Sequence, residues 1–517
     1  MVTSPHALAT RVGLDVLRSN GNAIEAAIAI GASINVTYPH FSGFGGDAFM
    51  IIRDRNGKVR TLSGIGQAPM EPPRHIDSIP VRGPASMLTT AGNVDTLGNA
   101  FEISRSELGG KWSWSELLTP AIKLAREGFP VTASQRFWTD FRLNETASLP
   151  AIAGNFMIDG RVPEVGQLFR QPRLAATIES LAVNGHRDFY EGALAARIAK
   201  GLKAAGSPLT AADLAKTRTR IEDPLRVAYR DGFLISLQPP TQGVTTLQIM
   251  GVLNRFDFGK IAEGSADYYH VLVEAIKQAF IDRDRYVADP EFSGVNIARM
   301  LSKVKLDQLA KRIQMQKALA WPNIFKTADT VFIGATDAEG NSVAMLQTVY
   351  FDWGSGVMVG DTGLLWHNRG AAFNVRPGHP NQLQPGKRPF HTLNPGMYLR
   401  SDKPHILYGT QGADGQPQTL AAILTRLIDY RMDPLSALLQ PRFLLGRTFS
   451  DSRDSLKLEI DAGAPVFKEL ASRGHEMSPL DVQSPLAGHA GVIVIDPVSG
   501  AISGAHDPRS DGKAMGF

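Results

Sequence analysis

Two hydrophobic rhythms divide the chain. Residues 1–130 and 176–320 hold long stretches with the three-to-four spacing of helices. "SPHALATRVGLDVLRSNG" offers a Ser-Pro start and a Gly stop for one helix, and "SADYYHVLVEAIKQAFIDRDRYV" predicts a longer amphipathic one. Between them, "DAFMIIRDRNGKVRTLSG" reads as two strands joined at Asn56-Gly57, the pair that favours a hairpin turn. From Thr330 onward strands and turns dominate, interrupted by the apolar helix "QTLAAILTRLIDY". In "DTVFIGATDAEGNSVA" the run Val331-Phe332-Ile333, a turn around Glu339-Gly340-Asn341 and a second apolar strand predict a hairpin opened by Thr330. No repeat and no low-complexity tract interrupts these patterns, so the reading is an α+β chain with mixed layers around a sandwich.

Composition narrows the chemistry. At 517 residues the chain suits two to four domains, or one large sandwich of two intertwined halves. Apolar residues at 43% and charged ones at 20% give an ordinary globular balance, and no apolar run is long enough to predict a membrane span. With no cysteine there are neither disulfides nor thiolate ligands, which leaves hydroxyls, amines, imidazoles and carboxylates. The net charge of +4 is scattered, so nucleic acid is not an expected partner and small anions are. The opening "MVTSPHALATRVG" lacks the order of a secretory leader, which favours the cytoplasm over the periplasm while leaving localisation and a removed leader open.

Most candidate motifs fail on their own terms. "SGFGGDAF" at 42–49 is glycine-rich but precedes a strand and lacks the lysine of a phosphate loop, so it reads as a tight backbone turn. The 12 histidines never take a two-histidine metal spacing on a predicted helix, and His367, His379 and His391 sit in turn-rich sequence; neither metal nor cofactor is expected. The stretch from 348 to 418 is denser. Gly412-Ala413 exposes backbone N–H groups able to receive an oxyanion, and Thr348, Thr392 and Arg369 could line the same cleft, although turns of a β-rich domain explain these residues equally well. A cut between Asp329 and Thr330 would place a hydroxyl and a free amine on one residue, an activated nucleophile.

The opening 39 residues, "DTVFIGATDAEGNSVA", "GSGVMVGDTGLL", "NRGAAF", "PGKRPFHTLNP" and the closing "GAISGAHDPRSDGKAMGF" resemble, in order and over essentially the whole chain, the γ-glutamyltransferase family of N-terminal-nucleophile hydrolases. The resemblance implies a four-layer αββα sandwich formed by two subunits cut from one precursor, 1–329 and 330–517, which stay bound to each other. It leaves a pairing of such heterodimers open. It implies that Thr330 is the nucleophile with its own α-amine as base, that Thr348 hydrogen-bonds it, and that Gly412 and Ala413 form the oxyanion hole.

The departures from the transferases fall at the substrate. Where that family holds the glutamyl α-carboxylate with an arginine, "SGIGQAP" has Ile65, and the aspartate that holds the α-amine falls on Ala372. Neighbouring Asn and Gln positions fall on Tyr350 and Arg369, the serine pair on His391 and Thr392, and the loop from Phe373 to His391 is shorter than the lidded version. These changes resemble the lidless branch that includes oxamate amidohydrolase and some cephalosporin acylases. They imply an amidohydrolase acting on a small anionic amide, with Arg369 gripping a carboxylate unless it serves a structural ion pair, and His391 either touching substrate or fixing a loop. Tyr350 and Trp353 are expected as walls. Glutathione-type γ-glutamyl hydrolysis or transfer is the alternative, and an unprocessed, non-catalytic binding homologue the second.

Overall fold

The computed structural model describes residues 1–74, 76–321, 329–446 and 454–517, with only the backbone described at Pro150 and Asp329. Two antiparallel sheets form its centre. One runs in the order Lys513–Met515, Val2–Ser4, Asp329–Thr336, Ser342–Tyr350, Asp47–Arg53, Val59–Gly64 and Arg220–Glu222. The other runs Ile502–His506, Ala490–Ile495, Lys403–Thr410, Gly396–Arg400, Gly232–Ser236 and Leu225–Tyr229.

Strand alternation assigns each residue to a layer. Along Asp329–Thr336, Val331, Ile333 and Ala335 face a helical core that includes Ala23–Thr37, whereas Phe332 points into a second layer with Phe49, Ile51, Leu346, Met397, Leu407 and Ile493 from both sheets. That second layer is the space between the sheets. On the far face of the other sheet, Leu234, Tyr398, Ile406 and Val492 pack with the helices Gly243–Leu253, Ala266–Tyr286 and Gln416–Ile428. The order is helices, sheet, sheet, helices, the αββα sandwich.

Helices buried on every side explain two sequence segments. Ala23–Thr37 is apolar nearly all round, all of its 15 residues are buried, and a capping box between Asn22 and Glu25 satisfies its start. Gly243–Leu253 is likewise wholly buried.

The hairpin predicted from "DAFMIIRDRNGKVRTLSG" forms, although its loop is longer than two residues. Lys58 O accepts from Asp54 N, and the Asp54 side chain accepts from the N–H groups of Asn56 and Lys58. The first helix covers Ala7–Arg18, and its start differs from the Ser-Pro reading. Ser4 belongs to a strand, and the side chain of His6 caps Leu8 N. Beyond Thr330 the chain adds the helices Pro434–Leu439 and Ala464–Ser472, too short to show a period in sequence.

Around Tyr38 the core holds His6, His40, His489 and His506, all buried. Burial pushes His506 down to about 3 and His6 and His489 to about 4 from the ordinary 6.5, outweighing the nearby Asp507 carboxylate at His489 and His506. The unfolded chain therefore binds more protons than the folded one between those values and 6.5. Stability is complete above pH 6.5 and falls below it, by up to about 1.4 kcal/mol per imidazole per pH unit. Thermal unfolding at pH 8.5, 7.5 and 5.5 tests this: the midpoint should nearly hold between the first two and drop clearly at the third, and a flat profile contradicts it.

Candidate active site

Parity places the predicted nucleophile. Thr330 shares the face of Phe332, and Thr348 that of Leu346, so both side chains point into the layer between the sheets, where both are buried. The ladder between these strands is regular from Ser342↔Thr336 to Gln347↔Val331 and then shifts before Tyr350↔Asp329. Thr330 thus lies opposite a bulge, and the Asp329–Thr330 peptide lies within the strand. Residues 326–328, just upstream, lie outside the described ones. The bulge is strained at Tyr350, which holds a φ of 80°. Its N–H donates to Thr348 Oγ1 at 2.8 Å.

From the other sheet, the strand Lys403–Thr410 delivers the Gly412-Ala413 turn. Gly412 has a φ of 125° and Ala413 one of 48°, and Gly415 N closes the turn on Gly412 O at 2.6 Å. Three residues after Ala413, Gln416 donates from Nε2 to Thr330 Oγ1 at 3.1 Å. Its Oε1 is buried without a hydrogen-bond partner among the described residues. Behind the turn, Gln242 Nε2 donates to Ala413 O at 2.7 Å and Thr392 O at 2.6 Å, which brings the 391–392 segment against the same turn. Thr392 Oγ1 is buried and has no hydrogen-bond partner among the described residues.

Arg369 is fully buried, with its guanidinium carbon 3.6 Å from the centre of the Tyr350 ring. None of its side-chain nitrogens has a hydrogen-bond partner among the described residues, so the structural ion pair weighed for it does not form there. Burial lowers its pKa to about 10, partly offset by Tyr350, Asp47 and Asp414, so it stays a cation at neutral pH. Tyr350, Phe351, Ala371 and Ala413, with Ala372 and Ile79 against them, form an apolar wall. Ile65 is buried in the layer between the sheets.

His391, weighed as a substrate contact or a loop-fixing residue, is engaged by the protein itself. Its Nε2 donates to Asp47 Oδ2 at 3.1 Å, its Nδ1 accepts from Leu393 N at 3.3 Å, and its ring packs on Phe49, so both nitrogens are spent on the protein. Burial, then the Arg369 charge, pushes it down to about 3, a neutral imidazole. Asp47 is the residue that the sequence reading passed over inside "SGFGGDAF". Its Oδ1 accepts from Gly66 N and Gly92 N, each at 3.0 Å, while His367 Nδ1 lies 3.5 Å from Oδ2. Burial alone would raise its pKa, but His367, the His391 bond and Arg369 hold it below the ordinary carboxylate value. The glycine turn itself is as read. A Cβ at Gly46 would fall 2.1 Å from Thr348 O. Alternation after Phe49 could have flagged Asp47 as inward-facing, whereas nothing local marks Gln416 or Gln242.

Elsewhere, His270, Glu274 and His475 converge within metal-ligand reach. Their atoms are already committed. His270 bonds His475 at 2.8 Å and Gln314 O at 2.9 Å, and Glu274 bonds Lys277 at 2.8 Å and Leu319 N at 3.1 Å.

A four-layer sandwich with a buried threonine near the start of a central strand, faced by a backbone turn, is the architecture of the N-terminal-nucleophile hydrolases. The family model for gamma-glutamyltranspeptidase matches residues 9–517, and the chain belongs to that family as an N-terminal-nucleophile amidohydrolase. It is 41% identical to an oxamate amidohydrolase proenzyme of Klebsiella pneumoniae over 100% of this chain and 98% of that protein. It is 39% identical to a glutathione hydrolase-like proenzyme of Bacillus subtilis, again over 100% and 98%. Among solved structures, a cephalosporin acylase from Bacillus halodurans superposes with a TM-score of 0.89 at 30% identity, covering 100% of this chain and 96% of that one.

The turn carries its own test. A Cβ at Gly412 would meet nothing closer than 3.8 Å, so any penalty there comes from backbone conformation alone. Gly412→Ala should destabilise the protein by about 1–3 kcal/mol. Ala413→Gly should shift stability by less than about 1 kcal/mol, because relief of the left-handed alanine offsets the added freedom of the unfolded chain. Equal melting shifts for the two variants would contradict this geometry.

Proposed function

We propose that the protein cuts itself before Thr330 and then hydrolyses the amide of a small substrate that carries a carboxylate beside the scissile carbonyl, with oxamate as the sharpest candidate. The observation that carries this reading is the unpartnered Arg369 cation, buried beside an apolar wall that ends at Ala413. A buried charge without a partner is costly, and an anionic ligand gripped by the guanidinium repays that cost. The name of the Klebsiella relative agrees with it. The name of the Bacillus subtilis relative points to glutathione instead, but Ile65 and Ala372 offer no charge to either end of a glutamyl group. An unprocessed binding homologue has no use for the Thr330, Thr348 and Gly412 arrangement.

In this scheme the Thr330 hydroxyl oxygen bonds the amide carbon as its proton passes to the free α-amine. The backbone N–H groups of Gly412 and Ala413 receive the oxyanion. The C–N bond then breaks, the α-ammonium returns the proton to nitrogen, and ammonia leaves an acyl-threonine ester. Water attacks the ester by the same route. With oxamate the products are oxalate and ammonia.

Two measurements test the proposal. Denaturing electrophoresis should resolve the 55.9 kDa chain into pieces of roughly 36 and 20 kDa, the share of 329 and 188 residues, the smaller beginning Thr-Val-Phe-Ile. Thr330→Ala should give one uncut, inactive chain, and a different start sinks the nucleophile assignment. Arg369→Gln should raise KM and lower kcat/KM on oxamate by about 10- to 1,000-fold, the loss of one buried charged contact, while self-cleavage is unchanged. Unchanged kinetics, or efficient wild-type turnover of γ-glutamyl-nitroanilide, would overturn the substrate reading alone.

A further inference from the structure

Gln416 donates a hydrogen bond to the Thr330 hydroxyl oxygen at 3.1 Å, and it is fully buried at the first turn of the helix Gln416–Ile428. One end of its amide is thus occupied by the attacking atom. The other end, Oε1, is an acceptor with no partner among the described residues. Buried acceptors are almost always satisfied, so an empty one this close to a nucleophile marks where a donor from outside the protein belongs. An amide carbonyl carbon poised for attack sits about 3–3.5 Å from the hydroxyl oxygen, and its nitrogen is one bond further on, within reach of a group bonded to that same oxygen.

Resting on the reading of Thr330 as nucleophile, we propose that Gln416 is a catalytic residue with two contacts. Its Nε2–H holds the Thr330 oxygen as it attacks, and its Oε1 accepts an N–H of the scissile amide. The two contacts do different work. The first acts on any acyl substrate and also on the self-cleavage reaction, which uses the same oxygen. The second acts only where the leaving group carries an N–H, and favours departure of ammonia from a primary amide by orienting the nitrogen for the proton that the Thr330 α-ammonium returns. No proton passes to Gln416, and the bond changes are those of the acylation step already given. An Asn or Gln amide meeting a substrate group is a specificity device, because a ligand lacking the matching donor leaves the acceptor empty.

The test compares oxamate with methyl oxalate, an ester of the same shape and charge whose leaving oxygen has no hydrogen. Gln416→Met keeps the volume and loses both contacts; Gln416→Glu keeps the acceptor and loses the donor. Rates are normalised to the cleaved small subunit. Gln416→Met should lower kcat on oxamate by about 10- to 100-fold and on the ester by about tenfold less, so the amide-to-ester ratio falls by about tenfold, a hydrogen bond's worth. Gln416→Glu should lower both rates and leave the ratio near that of wild type. Both variants should slow self-cleavage at Thr330, followed by gel. Equal losses on amide and ester in Gln416→Met overturn the leaving-group contact, and self-cleavage at the wild-type rate overturns the contact with the nucleophile. If correctly cut wild type turns over neither compound, the substrate reading fails by itself, and the self-cleavage rates still decide the role of Gln416.

Discussion

The close approach of two sheets across Phe332 organises the molecule. A Cβ on Gly409 would fall 2.2 Å from that ring and one on Gly491 2.5 Å, so the facing strands of the second sheet can seat the phenylalanine only as glycine. Once Phe332 is seated, alternation leaves no freedom for its neighbours. Thr330 two residues earlier must point into the same layer, and a slip of one residue would send it into the helical core with Val331. The register of one apolar ring therefore sets the direction of the Thr330 side chain.

At the end of that layer the packing changes from hydrocarbon to charge. Asp47 is inward-facing and fully buried, and the chain answers it with two backbone N–H groups and the His391 imidazole, with His367 Nδ1 3.5 Å away. This is a complete set for a carboxylate in a place of low dielectric. Arg369 stands close enough to lower the Asp47 pKa yet makes no hydrogen bond to it. The contrast is informative, because other buried cations in the protein are well served: Arg442 pairs with Asp507 at 2.5 Å, and Arg426 with Glu263 at 2.7 Å. Arg369 is different in that all three of its side-chain nitrogens lack a hydrogen-bond partner among the described residues, and unpartnered atoms of Gln416 and Thr392 lie near the same turn.

Part of the backbone strain lies there as well. Tyr350, Trp353 and Ala413 are non-glycine residues with positive φ, at 80°, 62° and 48°, and they flank the bulge and the turn. Each is held by its surroundings: Tyr350 by the Thr348 hydroxyl, Trp353 by His40 O at 2.7 Å, Ala413 by Gln242. Backbone in sparsely populated regions persists only when neighbours over-determine it, and rigidity of that kind keeps N–H donors aimed at one point.

Much of this was legible in the sequence, for a physical reason. Periodicity is local, so the long helices, the Asp47–Gly64 hairpin and the strand opened by Thr330 follow from spacing alone, and the ordered motifs carried the family, the αββα layers and the residues to inspect. Short helices at Pro434–Leu439 and Ala464–Ser472 escaped because a turn or two shows no period. What only the tertiary structure decided is which groups remain unpaired. That His391 bonds Asp47, that Asp47 anchors two distant glycine N–H groups, and that Gln416 touches Thr330 are facts about residues 19 to 344 positions apart, and that Arg369 has no hydrogen-bond partner among the described residues depends on all of them. A single side chain's valence is local, but its satisfaction depends on everything the fold brings to it.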